Sequence, residues 1–311
     1  MIDRREVLIG AAGALAAGRA IAAPAEGEAR FFPGFKPFRI KTTGAEINGV
    51  VGGSGPPVLL LHGAPQSHIS WRMVAPKLAA TRTVVAVDLR GYGDSSKPAD
   101  GENHYNYSKR AMALDQIEVM KALGFQRFPV IGQDRGGRVA HRLMIDHPEV
   151  VTHGMVLDIV PARYLYSHFS IAFVQAYPHW FNYLRTAPGP ENELMATNQA
   201  ALAKATTEVQ KAYLGWMTQM GTIHAMCEDY RASASIDLKW DEEDAAAGKK
   251  VTLPLRVLWA EKAPMGKLYD ILGIWKTYAP NATGRMLPGV HNLQEDVPDM
   301  VAEEILALLK A

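Results

Sequence analysis

Val130-Ile131-Gly132-Gln133-Asp134-Arg135-Gly136-Gly137-Arg138 is the stretch on which the reading of this chain turns. An apolar run leads into small-x-acid-x-small-small, and helix-forming sequence follows. That spacing is a nucleophile elbow, a sharp strand-to-helix bend that lifts one side chain above a sheet. Glycines at 132, 136 and 137 let the two backbones approach each other. Working outward, strand-like runs occur at Pro57–Leu61, Thr83–Leu89, Phe128–Gly132, Thr152–Val160, Leu255–Ala260 and Gly284–Pro288. Several are continuously apolar, as strands covered on both faces are. Helical patterns lie between and after them, at Lys109–Leu123, Gly137–Asp146, Gly266–Tyr278 and Pro298–Lys310. Such alternation predicts an α/β fold with a mostly parallel, doubly wound sheet. Gly52-Gly53-Ser54-Gly55 reads as a turn, because it lacks the strand–loop–helix setting of a nucleotide site.

The alternation stops between Pro161 and Gly248, where aromatics and helix formers replace strands. Residues 161–248 are therefore expected to form a helical cap inserted into a core made of 31–160 and 249–311, with Asp241-Glu242-Glu243-Asp244 as a solvated surface. The chain has 311 residues, 48% of them hydrophobic and 21% charged, which suits a globular enzyme. A net charge of +1 supplies no long-range field for nucleic acid or anionic lipid. Any anion recognition has to be local. One cysteine, Cys227, allows neither an internal disulfide nor a cysteine metal cluster, and the histidines show no metal-ligand spacing; no metal or cofactor is expected. At the N-terminus, Arg4-Arg5 precedes the apolar run Val7–Ala17 and a small-x-small site at Ala20-Ile21-Ala22. This looks like a twin-arginine export signal over about residues 1–22 and implies a periplasmic destination. It is too short for a stable membrane span.

Aspartate at the elbow decides the expected chemistry. A carboxylate that attacks a saturated carbon expels a leaving group and forms an ester that water can cleave, whereas a serine would leave an inert ether. Asp134 therefore points to displacement at sp³ carbon. The plainer alternative is a helix cap. His291, in Pro288-Gly289-Val290-His291-Asn292 after the last strand, stands where a general base belongs in the order nucleophile, acid, histidine. Asp158 and Glu261 each end a strand and compete as the acid that orients it. Leu61-His62-Gly63-Ala64-Pro65 follows the first strong strand, and the backbone amides of Ala64 and Arg135 are the expected oxyanion-hole donors.

With these residues in hand, the sequence resembles the fluoroacetate (haloacetate) dehalogenases of the α/β-hydrolase fold from about Gly34 onward. The resemblance rests on His62-Gly63-Ala64-Pro65-Gln66, Asp134-Arg135-Gly136-Gly137-Arg138, Leu157-Asp158-Ile159-Val160-Pro161, His179-Trp180 and Met226-Cys227-Glu228-Asp229-Tyr230-Arg231. It implies Asp134 as nucleophile, His291 as base and Asp158 as orienting acid. It also implies Arg135 and Arg138 as the pair that holds a substrate carboxylate, and His179, Trp180 and Tyr230 as the cradle of the departing halide. The implied activity is hydrolysis of small 2-haloacids such as fluoroacetate or chloroacetate, and the implied assembly is a homodimer. Gln133 replaces the family's usual histidine, and Ala64 a bulky aromatic, which should enlarge the pocket. An epoxide hydrolase with the same machinery is the alternative; it needs paired cap tyrosines, of which only Tyr230 stands out in the sequence.

Overall fold

The computed structural model describes residues 30–310, so the segment expected to be an export signal lies outside the described residues. Eight strands form one sheet: β1 (Lys36–Lys41), β2 (Glu46–Gly53), β3 (Pro57–Leu61), β4 (Thr83–Val87), β5 (Phe128–Gln133), β6 (Val151–Leu157), β7 (Leu255–Ala260) and β8 (Thr283–Leu287). Their order is β1-β2-β4-β3-β5-β6-β7-β8. From β4 to β8 every pairing is parallel; β1 pairs β2, and β2 pairs β4, antiparallel. The antiparallel β1 and β2 were not among the expected strands. Their burial is mixed, with exposed ends, so they lack the unbroken apolar signature of the central strands. Gly52 and Gly53 end β2, and the turn proper begins at Ser54.

Side chains on β3 and β4 alternate between two separate cores. Leu59, Leu61, Val85 and Val87 belong to one, and Val58, Leu60, Val84 and Ala86 to the other. Period-two alternation puts successive residues on opposite faces, and helices cover both, which explains why the sequence reads as apolar throughout.

One expected helix divides in two. Met265–Leu268 ends where Tyr269 adopts an extended conformation, and Asp270 caps a new helix, Ile271–Tyr278, by accepting from the Gly273 amide at 3.0 Å. Between β6 and β7 the described residues contain helices and no strand, from Ala162–Ser167 to Ile236–Ala246. Phe173, Trp180, Met226 and Tyr230 of this insertion share a hydrophobic core with Val139 and Val156 of the sheet layer, so the two pack as a continuous interior. The acidic run 241–244 corrects an expectation. Glu242 and Glu243 are exposed, but Asp241 and Asp244, one helical turn apart, bind Arg142 of the layer below at 2.5 Å each. No helix among the described residues is long and apolar enough to cross a membrane.

Candidate active site

Asp134 closes β5 and opens the helix Asp134–Asp146, three residues earlier than the expected helix start. Its φ is +45°, in the left-handed region that side chains avoid. The bend is enforced by close backbone approach. A Cβ on Gly132 would stand 2.3 Å from the Gly136 carbonyl oxygen, and one on Gly136 would stand 2.5 Å from that of His62. The Gly136 amide donates to His62 O at 2.9 Å, joining the elbow to the loop after β3. His62 holds that loop in turn: Nδ1–H donates to Gly63 O at 2.7 Å, and Nε2 accepts from the Leu89 amide at 3.0 Å. Burial, the largest influence on it, keeps the ring neutral. The loop then aims the Ala64 N–H at Asp134 Oδ2, at 3.1 Å. Oδ1 has no hydrogen-bond partner among the described residues.

The imidazole of His291 stands beside the elbow. Its Nδ1–H donates to Asp158 Oδ2 at 2.7 Å, and its Nε2 lies 3.9 Å from Asp134 Oδ2. Asp158 also has positive φ, +54°, at the end of β6, and its Oδ1 accepts from the Ala260 amide at 3.0 Å. The partner of His291 is thus Asp158, while Glu261 is exposed. Gln133 Nε2 donates to the carbonyl of His291 at 3.2 Å and so steadies the loop that carries this histidine. Burial opposes the charge on Asp134 but is outweighed by His291, then Arg135 and Arg138, which hold the carboxyl well below the usual carboxylate range. Burial likewise opposes protonation of His291, but Asp134 and Asp158 raise its pKa to about 10.

A cavity of about 240 Å³ lies over this cluster, lined by Asp134, Arg138, His179, Trp180, Tyr230 and His291 among others. Trp180 and Tyr230 are buried and meet edge to face at 5.7 Å, and His179 meets Tyr230 at 6.0 Å. The polar atoms of all three side chains lack hydrogen-bond partners among the described residues, so their N–H and O–H groups are available to a guest. The two arginines differ. Arg138 lines the cavity, stacks over Trp180 at 4.8 Å and donates from Nη1 to Val160 O at 3.2 Å; Nε and Nη2 are buried without partners. Arg135 does not line the cavity. It is fully buried, Asp229 accepts from its Nε and Nη2 at 3.0 and 2.6 Å, and Ser233 Oγ accepts at 2.6 Å, leaving only Nη1 unpaired. A guanidinium with no counter-charge in the fold would otherwise carry a large burial cost, and Asp229 removes it.

Sequence reasoning missed Tyr177, Tyr183, Asn198 and Met265, all of which line the cavity. Tyr183 follows His179 by four residues, one helical turn, which was the available signal. Tyr177 follows the six-residue helix Ile171–Ala176, Asn198 lies within the longer helix Gly189–Leu202, and Met265 opens the short helix Met265–Leu268, so no shared spacing links them.

Residues 56–298 match the protein family described as the alpha/beta hydrolase fold. This chain is an α/β hydrolase. Fluoroacetate dehalogenase from Burkholderia sp. is 38% identical over 283 residues, spanning 87% of this chain and 92% of that protein. Soluble epoxide hydrolase from Corynebacterium sp. (strain C12) is 31% identical over 293 residues, spanning 84% and 94%. The crystal structure of an α/β hydrolase from Nostoc sp. PCC 7120 superposes with a TM-score of 0.85 at 44% identity, spanning 88% of this chain and 98% of that one. The resemblance carried by five separated motifs therefore extends along the α/β hydrolase as a whole.

Proposed function

We propose that this α/β hydrolase is a dehalogenase of small 2-haloacids. The observation that carries the proposal is Arg138, a buried guanidinium without an acidic partner, facing the cavity beside the Asp134 carboxylate. Such a cation favours an anionic substrate, and its planar donor fork suits a carboxylate. Held there, a haloacetate presents its halogen-bearing carbon to Asp134. The unpartnered Oδ1 attacks in line and forms the C–O bond as the C–X bond breaks. Halide leaves towards the His179, Trp180 and Tyr230 donors, which stabilise the growing charge in a desolvated site. His291, oriented by Asp158, then takes a proton from water, and the resulting hydroxide attacks the ester carbonyl. The oxyanion settles on Oδ2, where the Ala64 amide points; the Arg135 amide would be the second donor. Collapse releases the 2-hydroxyacid and restores the Asp134 carboxylate, which retains one oxygen from water.

One finding favours a second reading. Tyr177 and Tyr183 line the cavity with Tyr230, supplying the second phenol that an epoxide hydrolase needs and that the sequence did not reveal. Against it, a neutral epoxide gives Arg138 no counter-charge. Halide release from fluoroacetate and chloroacetate, with Asp134→Ala as control, tests the proposal beside diol formation from an epoxide panel. Halide release abolished by Asp134→Ala supports dehalogenation. Diol without halide release overturns it in favour of the epoxide hydrolase.

A further inference from the structure

A second concentration of ionisable side chains joins the loop after β4 to the inserted helices, and none of its members lines the reactive cavity. Asp100 and His104 come from that loop, Glu191 from the helix Gly189–Leu202, and His224, Glu228 and Arg231 from the helix Met220–Ser233. One ligand-type atom each from Asp100, His224 and Glu228 lies within 4.8 Å of the others. They border an open surface cavity of about 390 Å³. His224 and Glu228, four residues apart, share one helix face.

The surroundings are those of a ligand shell. His224 Nε2 is 2.9 Å from Asp100 Oδ1, while its Nδ1–H donates to Glu191 Oε1 at 3.1 Å. A carboxylate that fixes the second ring nitrogen is the usual support of a metal-binding histidine, because it sets the tautomer and raises basicity. Glu228 is steered from both sides, Oε1 accepting from Arg231 at 2.9 Å and Oε2 from His104 at 2.6 Å. Glu191 Oε2 is buried and has no partner among the described residues, an acceptor an ion pair alone would leave idle.

We propose that Asp100, His224 and Glu228 bind a divalent transition ion of the zinc type and thereby pin the inserted helices to the loop after β4. One imidazole and two carboxylates are suitable donors for Zn²⁺, at bond lengths of about 2.0–2.2 Å, with water completing the shell. Glu191 Oε2 is the acceptor for that water. The test is titration of the metal-free, full-length protein with ZnCl₂, followed by calorimetry, thermal unfolding and zinc-edge anomalous scattering. One equivalent should bind, raise Tm and appear between the three side chains. His224→Gln and Asp100→Asn, both at part-exposed positions, should each weaken binding at least tenfold. Glu191→Gln leaves the three ligands in place and should cost about ten- to a hundredfold in affinity. No binding with zinc in several-fold excess, or binding unchanged in both ligand variants, overturns the proposal.

Discussion

At Asp134, burial and neighbouring charge pull in opposite directions, and charge prevails: His291, then Arg135 and Arg138, favour the ionised carboxylate. His291 is different, because its proton is held largely by Asp134 itself. Once Asp134 becomes an ester that negative charge is gone, and the pKa of His291 must fall from about 10 towards its ordinary value. In the proposed reaction the base is thus released by the first chemical step. Ester hydrolysis needs neutral His291 and ester formation does not, so the acid limb of the pH profile belongs to hydrolysis. We expect rapid-quench experiments with chloroacetate to find more ester as pH falls; an ester fraction independent of pH would contradict the assignment. His291→Gln should accumulate a carboxymethyl adduct on the Asp134 peptide, detectable by mass spectrometry, with steady turnover reduced by about 10³-fold or more. Arg138→Gln removes the donor fork, and the roughly 1.5–3 kcal/mol of a hydrogen bond to a charged group predicts about 10- to 150-fold lower kcat/KM. If haloacid kinetics are unchanged in that variant, Arg138 does not hold the substrate.

Two element ends carry the site, and both are strained. Asp134 directly follows β5 and Asp158 directly follows β6, each with positive φ; such geometry costs roughly 1–3 kcal/mol and persists only where the surroundings impose it. At the elbow the imposition is steric. Gly136→Ala would press a methyl group against the His62 carbonyl and disturb the loop that presents the Ala64 amide. We expect about 1–3 kcal/mol of destabilisation and a lower kcat, measured by chemical denaturation and halide release. The elbow, the continuously apolar strands and the His291 loop were legible because each is local: spacing of a few residues suffices. The antiparallel edge was not, since β1 and β2 are only partly buried and carry no distinctive period. The break at Tyr269–Asp270 was likewise missed, although an aspartate directly before an apolar run is an ordinary capping signal.

Across the whole molecule, insertion and sheet layer are joined by buried charge as well as by apolar contact. Asp229 of the helix Met220–Ser233 accepts from Arg135 of the elbow helix and from Lys109. Burial opposes its ionisation, but Arg135 and then Lys109 hold its carboxyl well below the usual range. A depressed carboxyl pKa contributes stability above the unfolded value, about 3.9, that is lost as pH falls through the folded one. Asp229→Asn should therefore cost about 3–5 kcal/mol near neutrality and flatten the acid side of a Tm-against-pH curve; an unchanged acid side would remove Asp229 from that role. Arg135 shows where sequence reading stopped. Adjacent to Asp134, it was expected from the family resemblance to help hold a substrate carboxylate, yet most of its guanidinium is committed to a residue 94 positions away. The sequence by itself determined the layered α/β fold, the bend at Asp134 and the loop that carries His291, because hydrophobic period and short-range spacing dictate them. Only tertiary structure decided that Asp158 rather than Glu261 meets His291, that Arg138 alone of the two arginines faces the cavity, and that Tyr177 and Tyr183 join it. Those outcomes depend on distances between segments far apart in the chain, which burial and charge pairing settle only once the layers have packed.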